Sequence, residues 1–194
     1  MTHEESSLQT KKMLCASLKK LMKNKAFSKI TVSELIKDCQ INRKTFYYHF
    51  EDIYDLLKWM LEQEAIEVVK QFNILSDYKD AFNFVFDYIE KNSYFLNCIY
   101  DSMGRDLLKQ FLYQDFIELM ERLIREAETA ENVVLPDNYR TFLCNFYTEA
   151  IAGMLINLFQ DPQKHDKEEI LQYISIIIRQ SLPAVLHIEG FAYK

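Results

Sequence analysis

The run Asn42 to Phe50, NRKTFYYHF, gathers two adjacent cations, a threonine, two tyrosines and a histidine into one short segment. Wound as a helix at about 100° per residue, it places Phe46 and Phe50 on one face. Lys44, Thr45 and Tyr48 point the opposite way, with Arg43, Tyr47 and His49 at the flanks. The outward set is basic, aromatic and rich in donors. Arg and Lys donate to guanine O6 and N7 in a major groove that admits a helix, and a threonine methyl meets the thymine methyl there. Tyr and His donate to phosphate oxygens, which fix register on a duplex. The chemistry on offer is contact with double-stranded DNA. Phe46 and Phe50 read as anchors into a core, whereas Tyr47 is placed equally well as anchor or phosphate contact.

Such a segment needs neighbours that hold it. Thr31 with Glu34 three residues on makes a capping box, and Val32, Leu35, Ile36 and Cys39 form the apolar stripe of a short helix. Gln40-Ile41 reads as a turn and Asn42 as the next N-cap. A longer first helix, about Ser7 to Lys25, carries Leu14, Leu18 and Leu21 at helical spacing. Two short helices joined by a tight turn behind a longer one form a helix-turn-helix unit. Free amides near Thr31 and Ser33 offer a further phosphate site. A helix from Asp52 to about Phe72 then joins head to body with no Gly/Ser linker, so motion of the body would reach the head mechanically.

Charge separates the same two parts. Residues 1–50 hold ten Lys and Arg against four Asp and Glu, leaving thirteen bases and twenty-five acids for the rest. The formal −6 therefore hides a basic head on an acidic body, which points to an anionic partner at the head, nucleic acid first and an anionic membrane surface second. No run of about 18 uninterrupted apolar residues predicts a membrane span. The first residues lack the apolar core of a signal peptide, so a cytoplasmic location and no membrane partner are expected. Cys15, Cys39, Cys98 and Cys144 are too scattered for a metal or disulfide framework, and His3, His49, His165 and His187 share no ligand spacing. Neither catalytic residues nor a metal nor a cofactor is expected.

With only 3 Gly and 3 Pro in 194 residues, the body reads as helix throughout, near 77–91, 93–102, 105–129, 137–160 and 167–187. Breaks are expected at Gly104, Pro136-Asp137 and Asp161-Pro162. The fold class is all-α. The last two helices are apolar over more than one face, which a two-fold interface built as a four-helix bundle explains. Ala150, Gly153, Met154, Ile174, Ile177 and Ile178 are the expected dimer contacts, a buried pair within one chain being the alternative. The aromatics of the body could line an effector pocket through Phe86, Tyr100, Phe111, Phe116, Phe146 and Tyr147, or simply pack as core.

The stretch ITVSELIKDCQINRKTFYYHFEDIYDLL resembles the DNA-binding signature of the TetR/AcrR family of bacterial transcription regulators, over about residues 8–68. The shared features are a Thr-capped second helix, a tight turn, a Thr-x-Tyr-x-His-Phe recognition helix and a leucine-bearing fourth helix. RKTFYYHFEDIYDLLKW is similar to a narrower branch that includes activators of dihydroxyacetone kinase operons. The resemblance implies a DNA-binding domain at 8–68 and a helical effector-binding and dimerisation domain at 69–194. The implied DNA-facing set is Thr31, Ser33, Arg43, Lys44, Thr45, Tyr47, Tyr48 and His49. It further implies a homodimer on a near-palindromic operator, controlled by a small-molecule effector, and a repressor is the expected sign. The alternative is a ligand-sensing or protein-interaction co-regulator, including an operon activator, with weak or lost DNA reading. Gln40 replaces the family's usual turn glycine, so a positive φ there should cost on the order of 1 kcal/mol. Lys44 stands where the family commonly has Gly, and Ile53 where it often has Lys.

Overall fold

Helix α2 (Val32–Asp38) begins at the capping box expected from its spacing: the Glu34 amide donates to the Thr31 hydroxyl, and Glu34 accepts from the Thr31 amide. It ends with Gln40 at φ +53, the Gln40 amide donating to Lys37 O and the Ile41 amide to Ile36 O. That paired pattern is the Schellman stop, formed here without its usual glycine. Asn42 then caps α3 (Arg43–His49) by accepting from the Thr45 amide at 2.8 Å. Behind them lies α1 (His3–Met22), which starts four residues before the expected Ser7 and stops before Lys25. Leu14, Leu18, Leu35, Phe46 and Phe50 close on one another and are buried. Each such side chain contributes about 1.5–3 kcal/mol on leaving water.

The computed structural model describes residues 3–160 and 166–187, and no strand occurs among them. The all-α expectation holds. The break expected at Asp161-Pro162, and His165, lie outside the described residues.

Asp52 caps α4 (Ile53–Leu61), accepting from the Asp55 amide at 2.9 Å, so this acid serves the helix N-terminus. The single helix expected from Asp52 to Phe72 is interrupted. A π-helical turn, Glu62–Ile66, separates α4 from a short α5 (Glu67–Val69). Leu56, Leu57 and Met60 belong to a buried cluster that runs from Leu14 in the head to Phe82, Phe116 and Ile156 in the body. Head and body thus share apolar core through α4.

The body contains α6 (Ile74–Lys91), α7 (Ser93–Glu131), α8 (Asp137–Gln160) and α9 (Lys167–Ile176), then a second π-helical turn (Ile177–Ser181) and α10 (Leu182–Leu186). The break expected at Gly104 is present: two helical stretches of α7 meet there at a kink, where Gly104 takes the non-helical φ +74 and ψ 168. α7 and α8 run antiparallel: Arg105 pairs with Asn157, Lys109 with Glu149, and Tyr113 with Asn145. At their turn Arg140 donates twice to the buried Glu128, at 2.9 Å each, and to Leu135 O. Within Asp137–Phe159 an 18-residue window has a mean hydropathy of 1.3, so this helix is long and apolar enough by composition to cross a membrane. Here that helix packs along α7 and buries Leu143, Tyr147, Ile156 and Phe159.

Candidate nucleic-acid interface and body cavity

The caps at Thr31 and Asn42 fix the start of each short helix, and Phe46 fixes the roll of α3 by complete burial. The opposite face is left to solvent. Arg43 and Lys44 are exposed, Tyr48 is 68% exposed and Tyr47 48%. Tyr47 divides its ring between roles: it meets Phe46 edge-on at 5.4 Å, and the Arg43 guanidinium lies 5.6 Å over it. Thr45 is half-buried, its hydroxyl donating to Asn42. His49, expected to face outward, is half-buried at 3.5 Å from the Ser7 hydroxyl and between the rings of Tyr48 and Phe50. Burial, then Lys11 and His3 nearby, lower its pKa and favour the neutral ring. Ser33 is exposed, whereas the hydroxyl of Thr31 is taken by Glu34.

Part of the basic charge seen in the sequence is consumed inside the fold. Lys20 pairs with Asp38 at 2.5 Å and Lys25 with Glu34 at 2.6 Å. Lys11 lies over the rings of Phe50 and Trp59. The hydrogen bond from Lys25, then those from Thr31, lower the Glu34 pKa to about 2. Arg43 and Lys44 sit apart from these pairs, on the exposed face of α3.

A cavity of about 200 Å³ opens in the body. Its wall comes from α4 to α10 and includes Leu61, Ile66, Tyr78, Phe82, Tyr88, Leu112, Phe116, Tyr147 and Leu182. Both π-helical turns reach it, through Ala65 and Ile66 on one side and Ile177 and Ile178 on the other. Of the six aromatics expected in a pocket, Phe116 and Tyr147 line this one. Phe86, Tyr100, Phe111 and Phe146 do not: Phe86 is buried under Lys167, and Phe146 is 57% exposed. Met154, Ile174, Ile177 and Ile178, expected at a dimer seam, all line the cavity. The cavity stripe of α6 is Tyr78, Phe82, Val85 and Ile89 at helical spacing. Phe86 lies off that stripe, so periodicity was the better guide than aromatic identity.

One wall residue reaches towards the head. The Tyr88 hydroxyl donates to Glu64 Oε2 at 3.0 Å, and Lys19 of α1 donates to the same oxygen at 2.5 Å. Glu64 sits in the first π-helical turn. Burial first, then the Glu64 carboxylate, raise the Tyr88 pKa, so the hydroxyl stays a donor. From sequence Glu64 reads, with Glu62 and Glu67, as part of a solvated face; its pairing with Lys19 crosses 45 residues and has no local signal.

On α8 the face away from the cavity carries exposed Phe142, Phe146 and Ala150, with Gly153 partly covered by Arg105. Phe142 and Phe146 stack at 6.2 Å. On α9 and the turn after it, Tyr173, Ile176 and Ile177 are exposed as well.

Residues 76–180, just over half of the chain, match the TetR-type family described as transcriptional regulator C-terminal region. The chain belongs to the TetR family of transcriptional regulators. As a TetR-type chain it is 24% identical over 150 residues to the HTH-type dhaKLM operon transcriptional activator DhaS of Lactococcus lactis subsp. lactis (strain IL1403), covering 77% of this chain and 79% of that protein. Its fold is similar to a solved structure of dihydroxyacetone kinase operon activator DhaS, with a TM-score of 0.67 and 20% identity over 90% of this chain and 97% of that one. These relatives are regulators, not enzymes. Both are named activators, whereas a repressor is the sign expected from sequence.

Proposed function

We propose that this TetR-type regulator binds a near-palindromic operator as a homodimer and that a small molecule in the body cavity controls the binding. The observation that carries the reading is the exposed Arg43, Lys44, Tyr47 and Tyr48 face of α3, held rigidly by the buried Phe46. Residues 8–68 form the DNA-binding domain and 69–194 the effector and dimerisation domain. Lys44 and Tyr48 reach base edges, Arg43, Tyr47 and Ser33 contact the backbone, and Thr31, Thr45 and His49 position the helix at its ends. Two α3 helices would enter successive major grooves about 34–36 Å apart. The dimer forms through the outward faces of α8 and α9, around Phe142, Phe146, Ala150, Gly153, Tyr173 and Ile176. Effector control runs from Tyr88 through Glu64 to Lys19, the contact that ties the cavity wall to α1.

The test is selection from a randomised duplex pool, with sequencing of the bound fraction. A two-fold related consensus with half-sites one helical turn apart is expected, and a bound pool as random as the input would refute the reading. The similarity to a protein named as an operon activator favours a second reading of the sign, activation. In transcription from a promoter bearing the selected site, a repressor lowers transcript and an activator raises it.

A further inference from the structure

The cavity described above has a chemical character that narrows what it can hold. Among the described residues, no charged side chain lines it. Its polar groups are the hydroxyls of Tyr78, Tyr88 and Tyr147, and each has a hydrogen-bond partner within the chain. Tyr78 shares a hydrogen bond with Ser175 at 2.7 Å, and Tyr88 donates to Glu64. The Ser181 side chain hydrogen-bonds the Tyr147 oxygen, which leaves the Tyr147 O–H as the remaining donor. A carboxylate entering this wall would lose its hydration with no Lys or Arg to receive it, and a polyol would leave several hydroxyls unpaired. A single hydroxyl could be satisfied. The volume is also telling. A dry apolar void of about 150 Å³ holds benzene, so about 200 Å³ suits one ring with a short arm, or a medium alkyl chain. The two π-helical turns widen the helices where they meet the wall, as such turns often do at functional sites.

We infer that this cavity takes a neutral, mainly apolar small molecule of about eight to ten non-hydrogen atoms carrying at most one hydroxyl. The inference rests on the reading of the body as an effector domain. The ligand's apolar part lies against Phe82, Leu112 and Phe116, and its hydroxyl meets Tyr147. Occupation presses on Ala65 and Ile66, next to Glu64, and so on the turn that holds Lys19.

The test is calorimetric titration of the full chain, without DNA, using 1-octanol, octanoate and dihydroxyacetone at neutral pH. 1-Octanol should bind saturably with a Kd at least about tenfold below that of octanoate, since only the carboxylate must be desolvated without a partner. Dihydroxyacetone should not bind. Methyl NMR of the wild-type chain locates the ligand: shifts should concentrate at Ile66, Ile89, Ile151, Ile174 and Ile178. Octanoate or dihydroxyacetone binding as tightly as 1-octanol would overturn the inference. So would the absence of saturable 1-octanol binding, or shifts confined to Ile36 and Ile41 in the head. Operator affinity is then measured with and without 1-octanol. Saturable binding that leaves operator affinity unchanged sustains the ligand class and refutes effector control.

Discussion

Replacing Tyr88 by Phe removes one hydroxyl and leaves the ring that lines the cavity. Glu64 loses the donor from the cavity wall but keeps Lys19 on the same oxygen. A hydrogen bond to a charged group contributes about 1.5–3 kcal/mol when well buried. The Glu64 side chain is 35% exposed, so solvent screening brings the expected loss to about 1 kcal/mol. For a chain of this length that lowers Tm by about 2–4 °C. The larger consequence is on coupling. Allosteric coupling free energies run to about 1–3 kcal/mol, or roughly 5–150-fold in affinity. In Tyr88→Phe, 1-octanol should still bind within about threefold of wild type, because the hydroxyl it loses serves Glu64 and not the ligand. Its effect on operator affinity should fall to less than about twofold. The assay is fluorescence anisotropy of labelled operator, with and without 1-octanol, beside thermal unfolding of both proteins. If Tyr88→Phe binds ligand and still transmits the full change in operator affinity, the Tyr88–Glu64–Lys19 route is wrong.

Gln40→Gly should stabilise the chain by about 0.5–1 kcal/mol, because relief of the left-handed backbone at φ +53 outweighs the added freedom of glycine in the unfolded state; chemical denaturation measures it, and a loss of stability would contradict the Schellman assignment. Phe146→Glu should turn a dimer into a monomer by light scattering while the helical circular dichroism is retained, and an intact dimer would move the interface off this face. Glu34 carries a pKa lowered from 4.5 to about 2, so its contribution to stability is whole above pH 4.5 and is lost as pH falls through about 2. The Tm difference between wild type and Glu34→Gln should therefore be full at neutral pH and close in strong acid, and a gap that widens on acidification would reverse the assignment.

The head was legible because its signals are local. The capping box at Thr31 and Glu34, the cap at Asn42 and the Phe46–Phe50 pair act within four residues, and the structure forms each of them. Even the departure from family pattern at Gln40 reads through, since the Schellman bonds demand a left-handed residue there whatever its type. The body was legible as helices and not as a site. Which stripe of α6 or α9 faces a cavity depends on partners far along the chain, so nothing local in the sequence marks Met154, Ile174, Ile177 and Ile178 as cavity wall. Neither π-helical turn has a sequence signature, because each is one turn that neighbouring packing widens. Charge misled in a quieter way. The head's excess of bases is real, but Lys19, Lys20 and Lys25 are paired with Glu64, Asp38 and Glu34 inside the fold.

The central claim is that the exposed face of α3 reads DNA. It is tested most directly by titrating the selected operator with wild type, Lys44→Ala and Tyr48→Ala over a range of salt. Both side chains are exposed, so each variant should keep the wild-type Tm while losing about 1–3 kcal/mol of operator affinity. Wild-type affinity should fall steeply as salt rises, through release of counterions from the phosphates. Variants that bind the operator as tightly as wild type, with a flat salt response, would contradict the account.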